Sequence, residues 1–299
     1  MIKLLVSIVN YNSYKDTLKV VDDIKNAIDT NDFSISFFIV DNSVERFEFD
    51  HFQAQLDSYT VSYDVSDAVI GDNILVSENN GFGAANNLVF DYAEDKGEFD
   101  WIWLVNNDIE LDPSVLSSLK PYMNKKHPIL GSVIYEDHGP VVGTIGIGKF
   151  KGYGSPGPVQ HLDDIYKVDA VNGTSMFVRV DSLNGLRFDE NYFMYVEEND
   201  FCYRAKEIGM ESYIVKSSVL SHYSGKTFGS RQALRWYYKV RNLLYLKKKL
   251  GHSTFALSLF LGVVTIKNYP INFCYIKAWF VAVLDFRDGR MGKTKREIL

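Results

Sequence analysis

Cysteine is scarce in this 299-residue sequence, which contains only Cys202 and Cys274. The two are far apart and lack the close spacing of metal-binding cysteines, which excludes a disulfide-stabilised secreted scaffold and favours a reducing compartment. The start, Met1-Ile2-Lys3, runs directly into a short apolar segment. A signal peptide would have a basic stretch, a longer apolar core and a small-residue cleavage site. We therefore expect a cytoplasmic protein.

Several signatures of nucleotide-dependent and hydrolytic enzymes are also missing. The segment Gly81 to Asn87 fits neither the dinucleotide-binding glycine pattern nor the phosphate-binding P-loop. No early glycine-rich loop with basic residues is present, as a sugar nucleotidyltransferase would require. The motifs of protein kinases, serine hydrolases and zinc proteases are absent as well.

Negative charge dominates the whole chain but not its C-terminal part. The net charge is -6, yet residues 231–299 carry 14 Lys and Arg against 3 Asp and Glu, or +11, which leaves -17 for the remainder. An acidic body argues against nucleic acid as a partner. The basic region is expected to meet an anionic membrane surface, with a merely solvated basic face as the alternative.

Apolar runs alternate with helix-period segments in the first half of the chain. Ile2 to Val9, Ser36 to Val40, Asn73 to Ser77 and Trp101 to Val105 are typical of strands covered on both faces, and Tyr14 to Ile28 has apolar residues on one helix face. This alternation predicts an α/β fold with a mostly parallel, doubly wound sheet flanked by helices. The second half, to about residue 230, is expected to hold mixed strands and loops and a short helix at Asn199 to Ile208, followed by a C-terminal helical extension.

Polar residues follow the predicted strands at the edge where open parallel sheets bind ligands. Any one of these clusters alone is explained by a turn, but four together favour a binding site. Tyr11 offers a ring for stacking on a base, Asp41 an acceptor for a base or ribose, and Gly81-Phe82-Gly83 a backbone without bulky side chains at its glycines. The clusters are Asn10-Tyr11-Asn12, Asp41-Asn42, Glu78-Asn79-Asn80-Gly81 and Asn106-Asn107-Asp108.

The segment Phe188 to Asp200 interleaves acidic and amide residues with large apolar ones. Tandem carboxylates such as Glu197 and Glu198 raise each other's pKa in a partly apolar setting, which suits a general base. The alternative is a solvated helix start, where acidic residues favour the helix dipole. For Asp200, with Arg204 one turn later, a structural ion pair is as good an interpretation as a catalytic role.

A cation site and a diphosphate contact are also predicted. Asp108 follows a buried strand, and one carboxylate plus a substrate diphosphate is an ordinary arrangement for magnesium or manganese. The alternative is a cap for a helix near Pro113. His222 precedes a polar loop containing Lys226, which is a suitable place to meet a diphosphate, although a lone histidine is more often structural.

These residues, in this order, resemble a bacterial family 2 glycosyltransferase of the GT-A fold, in the rhamnosyltransferase-like branch of O-antigen and polysaccharide biosynthesis. The resemblance runs from Val6 to about Arg290. Its marks are Ser7-Ile8-Val9-Asn10-Tyr11-Asn12, Val40-Asp41-Asn42-Ser43, Asn79 to Asn87, Asn106-Asn107-Asp108, Asn172-Gly173, Phe188-Asp189-Glu190, Glu197-Glu198-Asn199-Asp200, His222 and Tyr237 to Asn242.

The resemblance implies a role for each matching position. Glu198 falls where the family usually has an aspartate as catalytic base, with Glu197 and Asp200 beside it. Asp108 matches the second acid of the Asp-x-Asp metal motif, whose first position is Asn106 here, and His222 matches a later ligand of the Mn²⁺ or Mg²⁺ ion. The implied donor-binding residues are Asn10, Tyr11, Asn12, Asp41, Asn80, Gly81, Phe82, Gly83, Asn86, Asn87, Asn106, Asn107 and, for the diphosphate, Lys226.

The implied function is an inverting transfer of a sugar from a nucleotide-sugar donor to a hydroxyl of a lipid-linked glycan, with L-rhamnose from dTDP-L-rhamnose as the first candidate. Galactofuranosyl, glucosyl or galactosyl transfer from a UDP-sugar is the main alternative. A non-catalytic nucleotide- or glycan-binding module is a third interpretation, which the tandem Glu197-Glu198 argues against.

Two domains are predicted: a GT-A catalytic domain at residues 1–230, divided into a nucleotide-binding half (1–110) and an acceptor half (111–230), and a helical extension at 231–299. The apolar runs Phe255 to Ile266 and Tyr269 to Leu284 are shorter than the ~20 residues that span a bilayer. We expect them to lie in the interface at the inner face of the cell membrane. The alternative is that they cover the catalytic domain or form a homo-oligomer contact.

Overall fold

The fold is described from a computed structural model. It covers residues 1–43, 69–71, 74–76, 78–136, 139–147, 153–156, 163–222, 232–269 and 272–296. The predicted strand Asn73 to Ser77 is represented by residues 74–76. Lys226 and the loop around it lie outside the described residues.

The first half of the chain forms the parallel centre of a mixed sheet. Strand β1 (Ile2–Asn10) lies between β2 (Phe33–Asp41) and β5 (Trp101–Val105), and all three are parallel. Two short strands, β3 (Val69–Gly71) and β4 (Ile74–Val76), extend this edge, with β4 parallel to β2. Because parallel strands share their carboxyl edge, the segments that follow β1, β2 and β5 gather at one place.

Helices cover both faces of these strands, which explains why the strands are apolar on both sides. Side chains alternate along β1, so that Leu4 and Val6 pack in one core cluster and Leu5 in the other. The first cluster lies beneath α1 (Tyr14–Ala27) and the second beneath α2 (Phe82–Lys96). A short helix, α3 (Val115–Leu119), joins the side of α1.

The second half adds antiparallel strands to the same sheet. Strand β12 (Ser175–Arg179) pairs antiparallel with both β5 and β7 (Ile129–Glu136), and β13 (Ser212–His222) pairs parallel with β7. In the described residues the strand order is β11-β13-β7-β12-β5-β1-β2-β4-β3. The remaining strands are β6 (Ile109–Leu111), which pairs with β13, β8 (Gly139–Val141), which pairs with β7, β9 (Thr144–Ile147) and β10 (Tyr153–Pro156), which pair with each other, and β11 (Ile165–Val168).

Four further helices complete the described chain. Helix α4 (Glu197–Glu207) begins directly after the acidic segment. Helices α5 (Gln232–Lys249), α6 (Phe255–Asn268) and α7 (Phe273–Arg287) pack on one another through a separate apolar cluster that includes Phe193. The helical extension therefore rests on the segment that leads into α4. Among the described residues, no helix combines the length and the apolar character required to cross a bilayer.

The predicted α/β class is confirmed, with a parallel central sheet flanked by helices. Two local expectations need refinement. The helix expected at Asn199 to Ile208 begins two residues earlier, at Glu197, so that both tandem glutamates lie in its first turn. The helix near Pro113 begins at Val115, and Asp112 rather than Asp108 accepts hydrogen bonds from Ser114 at its start.

Candidate active site

The ends of β1 and β2 form a buried hydrogen-bond network around Asp41. Asn10 and Asp41 are opposite each other in the strand register, and Asn10 Nδ2 donates to Asp41 Oδ1 over 2.9 Å. Thr17 of α1 donates to Asn10 Oδ1, and the Ser43 backbone N–H donates to Asp41 Oδ1. The side chains of Asn10 and Asp41 are almost completely buried. The network fixes the orientation of the Asp41 carboxylate at the carboxyl edge of the sheet.

Tyr11 and Asn12 follow β1 at the exposed edge of this network. Tyr11 is 38% exposed, which leaves its ring accessible to a base. Asn12 has a left-handed backbone (φ 51°), and its N–H donates to the Ser43 hydroxyl. Asparagine tolerates this conformation better than most residues. The turn therefore presents the Tyr11 ring beside the fixed carboxylate.

Two of the asparagines predicted to bind the donor hold α2 in place. Ser7 donates to Asn86 Oδ1 over 2.7 Å, which ties α2 to β1. Asn87 exchanges two hydrogen bonds with the Phe188 backbone, as Nδ2 donates to its carbonyl and Oδ1 accepts from its N–H. Asn80, just before the helix, is exposed. The loop at the start of α2 is thus anchored from below by Asn86 and Asn87.

Gly81 is required by a close backbone contact. Its φ of 106° is a conformation that L side chains rarely adopt, and a Cβ there would lie 2.0 Å from the Phe193 carbonyl oxygen. The next residue, Phe82, donates its N–H to the same carbonyl. Gly83 is also closely packed, since a Cβ there would lie 2.8 Å from Phe188 Cβ. The donor-side loop and the acidic segment are therefore in direct contact.

Asp108 and His222 lie side by side although they are remote in sequence. Strand β6 pairs with the end of β13 so that Ile109 faces His222, which places the preceding Asp108 next to the ring. His222 Nε2 lies 3.1 Å from Asp108 Oδ1, and Nδ1 lies 3.1 Å from Glu136 Oε1. Glu136 reaches the ring because β7 and β13 are parallel neighbours. Neighbouring Asn107 donates to Thr17, and the Asn106 N–H to the Thr174 carbonyl.

The two carboxylates determine the charge of His222. Burial lowers the pKa of this imidazole, but hydrogen bonds to Asp108 and Glu136 outweigh burial and raise the pKa to about 9. The two carboxylates flank the ring at different nitrogens. The described residues contain no group of three or more His, Cys, Asp or Glu side chains that could hold one ion. Asp108 and His222 are the two candidate ligands that this part of the structure offers to a cation.

These two ligands fit a divalent cation of the predicted kind. The separation of 3.1 Å between Asp108 Oδ1 and His222 Nε2 is close to the edge, about 3 Å, of an octahedron with bonds of about 2.1 Å. Glu136, bonded to the other nitrogen, is the type of partner that orients a metal-binding histidine. Magnesium and manganese commonly complete their coordination with substrate phosphates and water.

Glu197 and Glu198 begin α4 after a strained turn. Tyr195 and Val196 both have left-handed backbones (φ 68° and 77°), which costs on the order of 1–3 kcal/mol each. The conformation is especially unusual for Val196, because this residue is β-branched. Glu197 is buried, and its Oε2 has no hydrogen-bond partner among the described residues. Glu198 is half-buried and lies against Gly173, just before the start of β12.

Burial raises the pKa of both glutamates. For Glu197 the nearby charge of Glu198 adds to the effect of burial. For Glu198 the effect of burial exceeds the opposing effects of backbone hydrogen bonds and of Lys239. A carboxylate with a raised pKa that is still partly accessible has the properties of a general base.

Asp200 is held differently from the two glutamates. Its carboxylate is 1% exposed and pairs with Arg204 Nε at 2.7 Å and with Lys249 from α5. Lys249 also pairs with Asp189 at 2.9 Å. These contacts favour the structural interpretation of Asp200, which ties α4 to the helical extension.

The strained turn is held from above by Asn242 of α5. Its Nδ2 donates to the carbonyls of Met194 and Tyr195, both over 2.8 Å, and the side chain is completely buried. Arg241 Nε donates to Asn242 Oδ1, which orients the amide. Sequence reasoning recognised the segment Tyr237 to Asn242 only as a family mark and assigned it no role.

Two cations that the sequence analysis missed also border the site. Arg235 Cζ and Lys239 Nζ lie 5.4 and 5.3 Å from the centroid of the Tyr195 ring. Both influence the pKa of Glu136, and Lys239 influences that of Glu198. Their positions four residues apart on one face of α5 were a visible signal, but nothing in the sequence linked α5 to the acidic segment.

The chain was compared with known proteins. No protein-family model matches it. The rhamnosyltransferase WbbL of Escherichia coli strain K12 is 29% identical over 202 residues, a match that covers 56% of this chain and 71% of that protein.

Solved glycosyltransferase structures share the fold across most of the chain. Staphylococcus aureus TarS 1-349 in complex with UDP-GlcNAc matches with a TM-score of 0.57 at 14% identity, covering 95% of this chain and 80% of that one. The mannosyltransferase PcManGT from Pyrobaculum calidifontis, in complex with GDP-Man and Mn²⁺, matches with 0.57 at 10% identity, covering 95% and 75%. GalNAc-T7 with UDP, GalNAc and Mn²⁺ matches with 0.57 at 13% identity, covering 83% of this chain and 48% of that one.

The chain thus spans about half the length of GalNAc-T7 and most of the length of the other two matched structures. Similarity at these identities shows the fold, which is GT-A. The sequence relative and the structural neighbours are consistent with a transferase.

Proposed function

We propose that the chain is an inverting glycosyltransferase in which Glu198 is the catalytic base. The observation that carries the proposal is the position of this half-buried carboxylate of raised pKa, at the start of α4 and directly after a strained turn. The segment that leads into this turn contacts the loop before α2 through Phe193. Tyr11 and Asp41 would bind the base and ribose of the donor. The loop from Asn80 to Phe82 would border its sugar and phosphates.

The proposed reaction is a single displacement. The Glu198 carboxylate takes the proton of the acceptor hydroxyl while the hydroxyl oxygen attacks the anomeric carbon of the donor sugar. The bond from that carbon to the diphosphate oxygen breaks, and the nucleoside diphosphate leaves with the electron pair. Attack from the face opposite the leaving group inverts the anomeric centre.

We also propose that Asp108 and His222 hold a divalent cation, and the 3.1 Å separation of their ligand atoms supports this assignment. When bound, such an ion supplies positive charge that stabilises the leaving diphosphate. Asn106 stands where the related motif has its first acid, so that the protein contributes less negative charge to the ion. Glu136 keeps the His222 ring in position.

The donor is proposed to be dTDP-L-rhamnose, with the similarity to a rhamnosyltransferase as the supporting observation. A UDP-sugar is the alternative, because one structural neighbour is named as a complex with UDP-GlcNAc. Transfer of galactofuranose, glucose or galactose would use the same base and the same diphosphate contacts.

The helical extension, residues 231–299, is proposed to bind the inner membrane surface, where a lipid-linked glycan acceptor would be presented. On α6 the large apolar side chains of the outer face are exposed. On α7 the side chains of Phe273 (82% exposed) and Phe280 (55% exposed) also face solvent, and Lys277 lies between them in the sequence. Helices that are apolar on both faces need a further apolar partner. The exposed residues of α6 are Phe255, Leu259, Phe260, Val263 and Ile266.

Mass spectrometry of the products tests the catalytic proposal. The protein is mixed with a panel containing dTDP-L-rhamnose, UDP-glucose, UDP-galactose and UDP-galactofuranose, and with a lipid-linked acceptor. One sugar should be transferred by the wild type and by Lys96→Gln, a surface control. Glu198→Gln should bind the donor, but its turnover should be lower than that of the wild type by about 100-fold or more. Nucleotide binding without transfer from any donor would favour a non-catalytic binding module instead.

Flotation with vesicles tests the membrane proposal. The full chain should float with anionic vesicles at low salt, and a Phe273→Ser/Phe280→Ser variant should float less. Exclusion from the vesicle fraction, together with a defined oligomer in light scattering, would instead assign the exposed face to contact between copies of the chain.

A further inference from the structure

Arg235 and Lys239 form a cation pair that has no ion-pair partner among the described residues. Both lie over the ring of Tyr195, and in the described part of the chain neither makes an ion pair within 4 Å. Arg235 Nε is buried and has no hydrogen-bond partner among the described residues. Partly buried charges are normally paired, because burial removes the water that would otherwise stabilise them. The part of the chain that the structure describes therefore places no anion in contact with this pair.

The two carboxylates that interact electrostatically with Lys239 already accept hydrogen bonds from other residues. Glu136 accepts from His222, and Glu198 Oε1 accepts from Asn199 Nδ2. Both interact electrostatically with Lys239, but neither lies within ion-pair distance of it. Burial and the charge of Arg235 lower the pKa of Lys239, which agrees with two cations facing each other. An anion between them would relieve this repulsion.

We propose that Arg235 and Lys239 form a diphosphate-binding site, supplied by the helical extension to the catalytic centre. Arginine presents several N–H donors in a fork that matches phosphate oxygens, and lysine adds a point charge. Arg235 lies in the first turn of α5, where the helix dipole favours an anion. Glu136, which is hydrogen-bonded to His222, interacts electrostatically with both cations, so that the proposed site adjoins the Asp108–His222 pair.

This inference rests on the proposed function, and the diphosphate has two potential sources in that reaction. One is the nucleotide part of the donor, and the other is the diphosphate of a lipid-linked acceptor. The chemistry recognised is the same, since both carry two adjacent phosphoryl groups. The experiment therefore measures the donor side and the acceptor side separately.

Isothermal titration of the full chain with dTDP, UDP, thymidine and inorganic pyrophosphate, in the presence of Mn²⁺, tests the site without turnover. Arg235→Gln and Lys239→Gln should each weaken binding of the better nucleotide about tenfold or more, which corresponds to the loss of one charge-assisted hydrogen bond. Pyrophosphate binding should weaken in parallel, whereas thymidine binding should stay unchanged. Lys248→Gln, an exposed lysine on the same helix, is the matched control.

Kinetics identify the source of the diphosphate. An increase in the donor KM assigns the site to the nucleotide, and an increase only in the KM for the lipid-linked acceptor assigns it to the acceptor. Either result supports the site. Lys239→Arg keeps the charge and should retain most of the binding, which excludes a folding defect. Nucleotide, pyrophosphate and acceptor values equal to those of Lys248→Gln would overturn the proposal, even if Glu198→Gln abolishes turnover as expected.

Discussion

Replacing Asn242 with alanine would remove the two hydrogen bonds that hold the turn in front of Glu197 and Glu198. Each bond contributes about 1 kcal/mol, so we expect the free energy of unfolding to fall by about 2 kcal/mol. The larger effect should be on catalysis. Tyr195 and Val196 have strained left-handed backbones, and without the clamp the turn can relax. A displacement of the base by about 1 Å costs about 100-fold in rate.

The assay is steady-state kinetics across a range of pH, alongside thermal unfolding. We expect kcat to fall by about 10- to 100-fold, because the base is displaced by up to about 1 Å. Donor affinity should change little. The acidic limb of the pH–rate profile should move to lower pH, because a displaced Glu198 is more exposed and its raised pKa returns toward the ordinary value.

Two variants separate positioning from stability. Thr265→Val removes the acceptor of the Trp236 hydrogen bond, which joins α5 to α6 rather than α5 to the turn, and should destabilise the protein without changing kcat or the pH profile. Asn242→Asp keeps the size of the side chain but replaces its N–H donor with a carboxylate oxygen. That oxygen cannot donate to the carbonyls of Met194 and Tyr195, so this variant should resemble Asn242→Ala. If Asn242→Ala loses stability as Thr265→Val does, yet keeps wild-type kcat and pH profile, then Asn242 has no positioning role.

Three further predictions follow from the same site. Gly81→Ala should weaken donor binding and lower the melting temperature, because the new Cβ would meet the Phe193 carbonyl oxygen at 2.0 Å; wild-type values in calorimetry would contradict this contact. Chelation of divalent ions should abolish activity, with Mn²⁺ or Mg²⁺ restoring it, and full activity in chelator would remove the metal role of Asp108. Glu197→Gln should stabilise the protein at pH 8. In the wild type the folded state raises the pKa of Glu197, so that stability is lost as the pH rises through this folded-state pKa. Glutamine does not ionise and avoids this loss. Equal or lower stability of the variant at pH 8 in thermal unfolding would show that the Glu197 charge is accommodated.

Much of the candidate site was predictable because one simple rule places it. Strands β1, β2 and β5 were visible as apolar runs, and parallel strands share a carboxyl edge. That is why Asn10, Asp41 and Asn107 meet around Thr17 and Ser43. The fold class was predictable for the same reason, since alternating strand and helix periods are local properties of the sequence.

Contacts between remote segments were not predictable in the same way. Nothing near Asp108 indicates that β6 pairs with the end of β13, or that Glu136 reaches the other side of the His222 ring. The strained backbone of Val196 was hidden too, because a β-branched residue gives no signal for a left-handed conformation.

The sequence by itself therefore determined the parallel sheet, the polar residues at its carboxyl edge and the acidic pair Glu197-Glu198, because each is written in a continuous stretch of chain. Only the tertiary structure decided which of these groups act on one another. It brought Asn242 onto the turn before α4 and set Lys239 near Glu198. The physical reason is that strand register and helix packing are settled by the whole core at once, while a sequence pattern reports only its own neighbourhood.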